Sequence, residues 1–460
     1  ALRTEGAVSY ISAGWQLRHP PRAALALSPA PAVTGLAPDG PAALAGIEEG
    51  DRVARIGDRQ IRSLRDAVAA LALIGPQQPS VEVTLLSEGA ERRVLLPLGP
   101  EAAAPAPQEP GECPHPAPVC LARQAVFPVT SFDPVGSAVR IAPDLLVTNR
   151  HVVGDRADAV VHTPDGPRGA EVLPSAYRGD LALLRVEGLP DGALILSPEP
   201  DAAGQQAAGQ GPFFAIGADI ARQEVRVFEP GGVIAPPAEG AALGRLHVSA
   251  HMQPGVSGGA LVDAAGQLAG IATGGGEGRF EAIPLRDVPA LLDGLDDPDA
   301  GAVHAALGAA LVACAEALES WQPGSGERAP LAETCAGADN AGQLLEAGRL
   351  LAQSGAFAEG ADLHARAVAQ VPNSLNARLS LLVSLQLGGR FEEMLPHARR
   401  VMELAPDDPQ ALRFAIQAGV WGGDPALAEA GYTALLAADP RQAQAARRFI
   451  DDPPPAPPRR

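Results

Sequence analysis

The chain has 460 residues, 46% of them hydrophobic and 19% charged, which suits several compact units with real cores and excludes a wholly disordered chain. With 35 basic against 54 acidic residues the formal charge is −19, which argues against a polyanion such as nucleic acid as a partner. Residues 101–300 hold 26 acids against 12 Arg, so the middle carries most of the negative field, and the absence of Lys throughout reads as genome bias.

From the N-terminus, residues 41–53 (PAALAGIEEGDRV) and then Ile56-Gly57-Asp58 combine glycines that permit a tight path, an Asp suited to turn hydrogen bonding, and Val53 and Ile56 for a core. This segment resembles the turn and strand of a PDZ domain, placed over 1–100. The resemblance implies a groove-lining helix at 64–73, a strand at 81–86 and capture of a peptide C-terminus, with Gly14-Trp15-Gln16-Leu17 as the nearest match to a carboxylate loop. Residues 101–122 are rich in Pro and Ala and read as an extended linker. Cys113 with Cys120, and Cys314 with Cys335, form two sequence-local couples, which favours two disulfides and an oxidising compartment over free thiols. No Cys-x-x-Cys or paired His accompanies them, so no metal is expected.

Between 123 and 298, short Val/Leu/Ile/Ala runs alternate with Gly/Pro/Asp turns, at 136–141, 145–148, 159–162, 181–186, 224–228, 245–249, 260–262 and 267–273. This spacing predicts an all-β barrel or sandwich. Three segments in it carry chemistry: Thr148-Asn149-Arg150-His151-Val152-Val153, Gly179-Asp180-Leu181 and Gly255-Val256-Ser257-Gly258-Gly259. A neutral hydroxyl attacks an amide poorly, so Ser257 needs a base, and an imidazole can take its proton near neutral pH and return it to the leaving amine. His151 is assigned that part, Asp180 the carboxylate that fixes its tautomer, and the N–H groups of Gly255 and Ser257 the oxyanion hole. The order His, Asp, Ser differs from that of α/β-hydrolases and subtilisins.

These segments resemble the trypsin-like, chymotrypsin-fold serine peptidases, most closely the HtrA/Deg branch of secreted bacterial proteases. The resemblance implies two perpendicular β barrels with a triad in the cleft, and makes Thr273, Gly274 and Gly275 the strand that pairs with substrate backbone. Val256 stands where trypsin has the acid that captures a new N-terminus, so activation of that type is not expected. The PDZ-like part precedes the protease instead of following it, and the loop before His151 is short, so oligomerisation of the HtrA kind does not follow. His162, His247 and His251 lack the surrounding pattern and read as structural or surface groups.

After 298 the period becomes helical, with Val303, Leu307, Leu311, Cys314, Leu318 and Trp321 at steps of three and four in a connector over 299–338. Residues 301–318 are mostly Ala with His304 and Glu316, and read as a buried helix of a soluble domain, so no integral membrane segment is expected. Over 339–450, Gly355, Gly389 and Gly423 recur every 34 residues, as do Pro372, Pro406 and Pro440. Helical hairpins of that length resemble tetratricopeptide repeats, which implies a stacked solenoid with a groove for a protein partner. The Pro-rich end, 451–460, is expected to be disordered.

The chain therefore reads as an exported, periplasmic or secreted serine endopeptidase acting on unfolded or partner-presented polypeptide, without metal or organic cofactor, its leader taken as removed before Ala1. The alternative is a catalytically idle protease fold that binds proteins through its flanking modules.

Overall fold

The computed structural model describes residues 3–4, 7–10, 15–18, 30–36, 41–61, 67, 70, 80–87, 90–97, 113–189, 194–198, 211–219, 224–276, 278–321 and 328–459. The chain forms two compact units. The first comprises Ala1–Glu229, Met252–Thr273 and Leu285–Val312, and the second Pro230–His251, Gly274–Pro284 and Ala313–Arg460.

The first unit begins with an antiparallel sheet. Its strands run Arg3–Thr4, Ala7–Tyr10, Trp15–Arg18, Ala32–Leu36, Arg52–Ile56, Ser80–Ser87 and Ala90–Pro97 in sequential order, with Arg59–Gln60 paired to Arg52–Ile56. Val33, Ile47, Val53, Ile56, Ile61, Val83 and Leu85 form its core. Buried Asp51 accepts hydrogen bonds from Glu48 N, Ser87 Oγ and Arg92 Nη2, which satisfies a carboxylate that would otherwise be costly to bury. The expected strand at 81–86 is present within Ser80–Ser87. Of the expected helix at 64–73 only Ala67 and Ala70 are described, both helical and buried, and the rest lies outside the described residues. The segment considered for a carboxylate loop is different. Residues 15–18 form a strand paired on both sides, with Ala7–Tyr10 and with Ala32–Leu36, so their backbone serves the sheet instead of a ligand; Gly14 lies outside the described residues.

The expected linker over 101–122 is structured from Cys113 onward. Helix Ala117–Ala122 starts with Pro118 in its first turn and is fastened by a Cys113–Cys120 disulfide, while 101–112 lie outside the described residues. A closed six-stranded barrel follows, ordered Gly136–Ala142, Leu145–Thr148, Ala182–Arg185, Gly166–Leu173, Asp158–Thr163 and Val126–Thr130. Its core is Phe127, Val129, Leu146, Val161, Val172 and Leu184 among others, the apolar runs that marked these strands in the sequence. Next in the same unit, Phe214–Asp219 pairs with Glu224–Val227 on one side and with Ala260–Val262 on the other, and Ala260–Val262 pairs with Leu268–Gly276. The family resemblance implies a second closed barrel; among the described residues only the six-stranded sheet of Val126–Arg185 closes.

In the second unit, Leu246–Val248 pairs with Val233–Ala235 and with Arg279–Pro284. Helices fill the rest. Arg328–Ala338 is joined to the end of Ala300–Ser320 by the Cys314–Cys335 disulfide. Then come Ala341–Gln353, Phe357–Gln370, Leu375–Leu387, Phe391–Leu404, Pro409–Gly422, Pro425–Ala438 and Pro440–Asp451, each packed on its successor. Gly355, Gly389 and Gly423 sit in the turns with φ of 83°, 68° and 84°, a left-handed conformation that glycine adopts without the Cβ penalty. Asn340, Ser374, Asp408 and Asp424 cap the helices that follow them by accepting from backbone N–H groups of the first turn. The Pro-rich end, expected to be disordered, packs instead on these helices: Trp421 Nε1 donates to Pro454 O at 3.0 Å and Arg459 pairs with Glu393.

Ala300–Ser320, expected as a buried helix without the apolar length of a membrane span, departs from that reading. It runs 21 residues and contains an 18-residue window with a mean hydropathy of 1.6, long and apolar enough by length and composition to cross a membrane. Its burial is one-sided: His304, Leu311, Cys314 and Ala315 are buried, whereas Gly301, Ala305 and Ala309 are exposed. Exposed alanines are tolerated in a water-facing helix because they bury little apolar area when covered.

Candidate active site

The strand Leu145–Thr148 leaves the barrel with Thr148 and Asn149 fully buried and runs into a single helical turn, Arg150–Val153. That turn presents His151, whose side chain is 24% exposed, while the Asp180 side chain beside it is 5% exposed. His151 Nδ1 lies 2.8 Å from Asp180 Oδ2, and the backbone N–H of His151 donates to Asp180 Oδ1 at 3.0 Å. One carboxylate thus holds both the ring and the main chain of the same residue. With Nδ1 donating to the carboxylate, Nε2 is left as the basic nitrogen.

Asp180 has a further donor. Thr273 Oγ1 donates to Asp180 Oδ2 at 3.0 Å, and the carbonyl of the same Thr273 accepts from Ser257 Oγ at 3.1 Å. Thr273 therefore bridges the carboxylate, which also holds His151, and the Ser257 hydroxyl. The sequence placed Thr273 in a substrate-pairing strand and did not foresee this hydroxyl contact. Gly274 and Gly275, the other two residues of that expectation, continue the strand Leu268–Gly276 in the second unit.

The turn that carries Ser257 is fixed from the barrel side. Ser137 N donates to Ser257 O at 2.8 Å, Ser137 Oγ donates to Gly255 O at 2.7 Å and accepts from Ala218 N at 2.8 Å. Thr148 Oγ1 donates to Ser137 O at 2.7 Å. Such an approach requires glycine. A Cβ on Gly258, which has φ of 84°, would stand 2.1 Å from Ser137 O and 2.4 Å from Thr148 Oγ1. Gly255 has φ of 100°, so an L side chain there would also be strained. Ser137 and Thr148 escaped the sequence reading because their partners are over a hundred and about ten residues away respectively.

Arg150 was also missed, although a charged residue between a buried strand and Val152-Val153 signals an unusual set of partners. Its side chain is 2% exposed. Nε donates to Gly179 O at 3.1 Å, Nη2 to Tyr177 O at 2.5 Å, and Nη1 to His304 Nδ1 at 3.1 Å. Burial pulls the guanidinium below its ordinary pKa, and the Asp180 carboxylate acts in the opposite sense.

Three other histidines of this region have structural surroundings: His162 bonds Thr130 Oγ1, His247 faces Glu281, and the His251 ring makes a T-shaped contact with Phe280. Both cysteine couples are disulfides. Among the described residues no group of three or more His, Cys, Asp or Glu could hold a metal ion.

The chain carries a trypsin-like peptidase domain together with a PDZ domain. The trypsin-like peptidase domain family matches residues 136–271, and the PDZ domain family matches 33–86. Among curated proteins the chain is similar to the serine protease Rv3671c of Mycobacterium tuberculosis strain H37Rv and to the serine protease MT3772 of strain CDC 1551, each 32% identical over 144 residues. Those matches cover 30% of this chain and 36% of the relatives, so the chain spans about a third of their length. Among solved structures, the active form of the Rv3671c protease matches with 21% identity and a TM-score of 0.32, over 39% of this chain and 84% of that one. A serine endoprotease from Yersinia pestis matches with 24% identity and a TM-score of 0.32, over 39% and 65%.

Proposed function

We propose that the chain is a serine endopeptidase in which Ser257 is the nucleophile, His151 the general base and acid, and Asp180 the carboxylate that orients His151 and stabilises its cationic form. The observation that carries this reading is the contact chain from Ser257 Oγ through Thr273 to Asp180, and from Asp180 to His151 Nδ1. Turning the Ser257 hydroxyl from Thr273 O toward His151 Nε2 would ready it for attack. The proton then passes to the imidazole as the Oγ–carbon bond forms, and from the imidazolium to the leaving amine as the amide bond breaks. The N–H groups of Gly255 and Ser257 are the proposed donors to the tetrahedral oxyanion, each worth about 3 kcal/mol in such sites. Thr273, Gly274 and Gly275 are the proposed strand for substrate backbone.

The similarity to proteins named serine proteases supports the same reaction class. The substrates we propose are unfolded or partner-presented polypeptides, in the manner of the HtrA/Deg branch. The PDZ domain is proposed to take a peptide chain end, and the helices after 339, whose 34-residue period resembles tetratricopeptide repeats, to offer a groove to a protein partner. Two disulfides support an exported, oxidising location. Casein hydrolysis by the purified protein tests the reaction: Ser257→Ala or His151→Ala should lower turnover by about six orders of magnitude. Undiminished cleavage by Ser257→Ala would remove Ser257 as the nucleophile.

A further inference from the structure

Arg150 is a buried cation adjoining His151, and its guanidinium is shut off from solvent. Its Nε and Nη2 take the carbonyls of Gly179 and Tyr177, which bracket Arg178 and lead directly into Asp180. Its own N–H donates to Asp180 O at 3.3 Å, and Asn149 Nδ2 donates to the same carbonyl at 3.0 Å. One residue thus grips the segment that delivers the carboxylate while its main chain carries the histidine. The third guanidinium nitrogen is held from elsewhere: Nη1 donates to Nδ1 of His304, on the helix Ala300–Ser320.

That helix approaches the histidine turn closely. A Cβ on Gly308 would lie 2.4 Å from Gly154 O and 2.9 Å from Asp155 Cα, so backbone meets backbone just past Arg150–Val153. Gly308 stands one helical turn after His304, on the same face. His304 can accept from a guanidinium only as the neutral imidazole, and burial with the adjacent Arg150 charge pulls its pKa down to about 4.

We propose that Arg150, held in place by His304, is a positioning residue for the His151–Asp180 pair, so that the helix after the protease sheet takes part in aligning the site. The inference rests on the peptidase reading for its kinetic consequence, but its geometric content stands apart from it. Without the clamp, the Tyr177–Asp180 segment loses two of its fixed carbonyls and the carboxylate drifts from the ring. Displacements of about 1 Å at such a site cost on the order of a hundredfold in rate.

The test uses the full chain. In Arg150→Met and in His304→Leu, kcat for a peptide substrate should fall about ten- to hundredfold with KM little changed, and the low-field proton resonance of His151 Nδ1–H should weaken or shift. Arg150→Lys keeps the charge but cannot span two carbonyls, so it should resemble Arg150→Met. His304→Asn, which returns an acceptor near the Nδ1 position, should recover most of the rate and the resonance. If a folded His304→Leu protein keeps the wild-type kcat and the wild-type resonance, the positioning role is wrong. If the unmodified protein shows the resonance, and Arg150→Met or His304→Leu loses it, but none of the proteins cleaves peptide, the clamp stands and the peptidase reading falls.

Discussion

Thr273 touches both ends of the proposed relay, its hydroxyl on Asp180 and its carbonyl on Ser257. Thr273→Val keeps the shape and removes the donor to a charged acceptor. Since such a bond contributes about 1.5–3 kcal/mol, kcat/KM should fall roughly tenfold or more, and Thr273→Ser should restore it; steady-state kinetics on a peptide substrate decides. Ser137 works in the same way from the barrel side, with its hydroxyl between Gly255 O and Ala218 N. The sequence singled out His151, Asp180 and Ser257 because reactive residue types stand out in short motifs at strand borders. Thr273, Ser137 and Arg150 act by contacts with residues distant in the chain, and no local pattern announces a hydroxyl's or a guanidinium's partner.

Elements were legible where their determinants are local. The strands Leu145–Thr148 and Ala260–Val262 start and stop where the apolar runs do, because turn residues flank both. The helices after 340 follow the spacing of Gly355, Gly389 and Gly423, whose positive φ ends each first helix of a pair. The turn glycines also separate two costs. Nothing lies within 4 Å of a Cβ on Gly423, so Gly423→Ala should cost only the left-handed strain, about 1 kcal/mol in urea denaturation. A Cβ on Gly389 would in addition meet Pro458 O at 2.6 Å, so Gly389→Ala should cost more, and the excess should vanish in a chain ending at residue 452. Equal costs in the full chain would contradict the packing of the Pro-rich end on this turn. The segment at 15–18 and the helix Ala300–Ser320 were misread for a shared reason: whether a segment becomes a strand or a loop, and which helix face is buried, depends on neighbours that composition does not name.

At the scale of the whole molecule, stability rests on disulfides as well as cores. Cys314–Cys335 closes a loop of 21 residues in sequence separation, and its loss should cost about 3 kcal/mol by restoring freedom to the unfolded chain. Thermal melts of Cys314→Ala/Cys335→Ala against the oxidised parent measure it. Stability should also fall in mild acid. His364 is buried between Ser384 Oγ and Leu345 O, and burial lowers its pKa to about 4. The unfolded chain binds this proton from about pH 6.5 downward while the folded one does not, so the stability present above pH 6.5 drains away as pH falls toward 4. By pH 5 the loss from this residue is about 2 kcal/mol, to be read from urea midpoints of the parent against His364→Gln, whose midpoint should vary less over that range.

The most direct test of the account is labelling of the intact protein with a fluorophosphonate followed by peptide mapping. One adduct, on Ser257, should form rapidly in the parent and be lost in both His151→Ala and Ser257→Ala. A folded parent protein that takes no label, or one labelled elsewhere with Ser257 untouched, would contradict it.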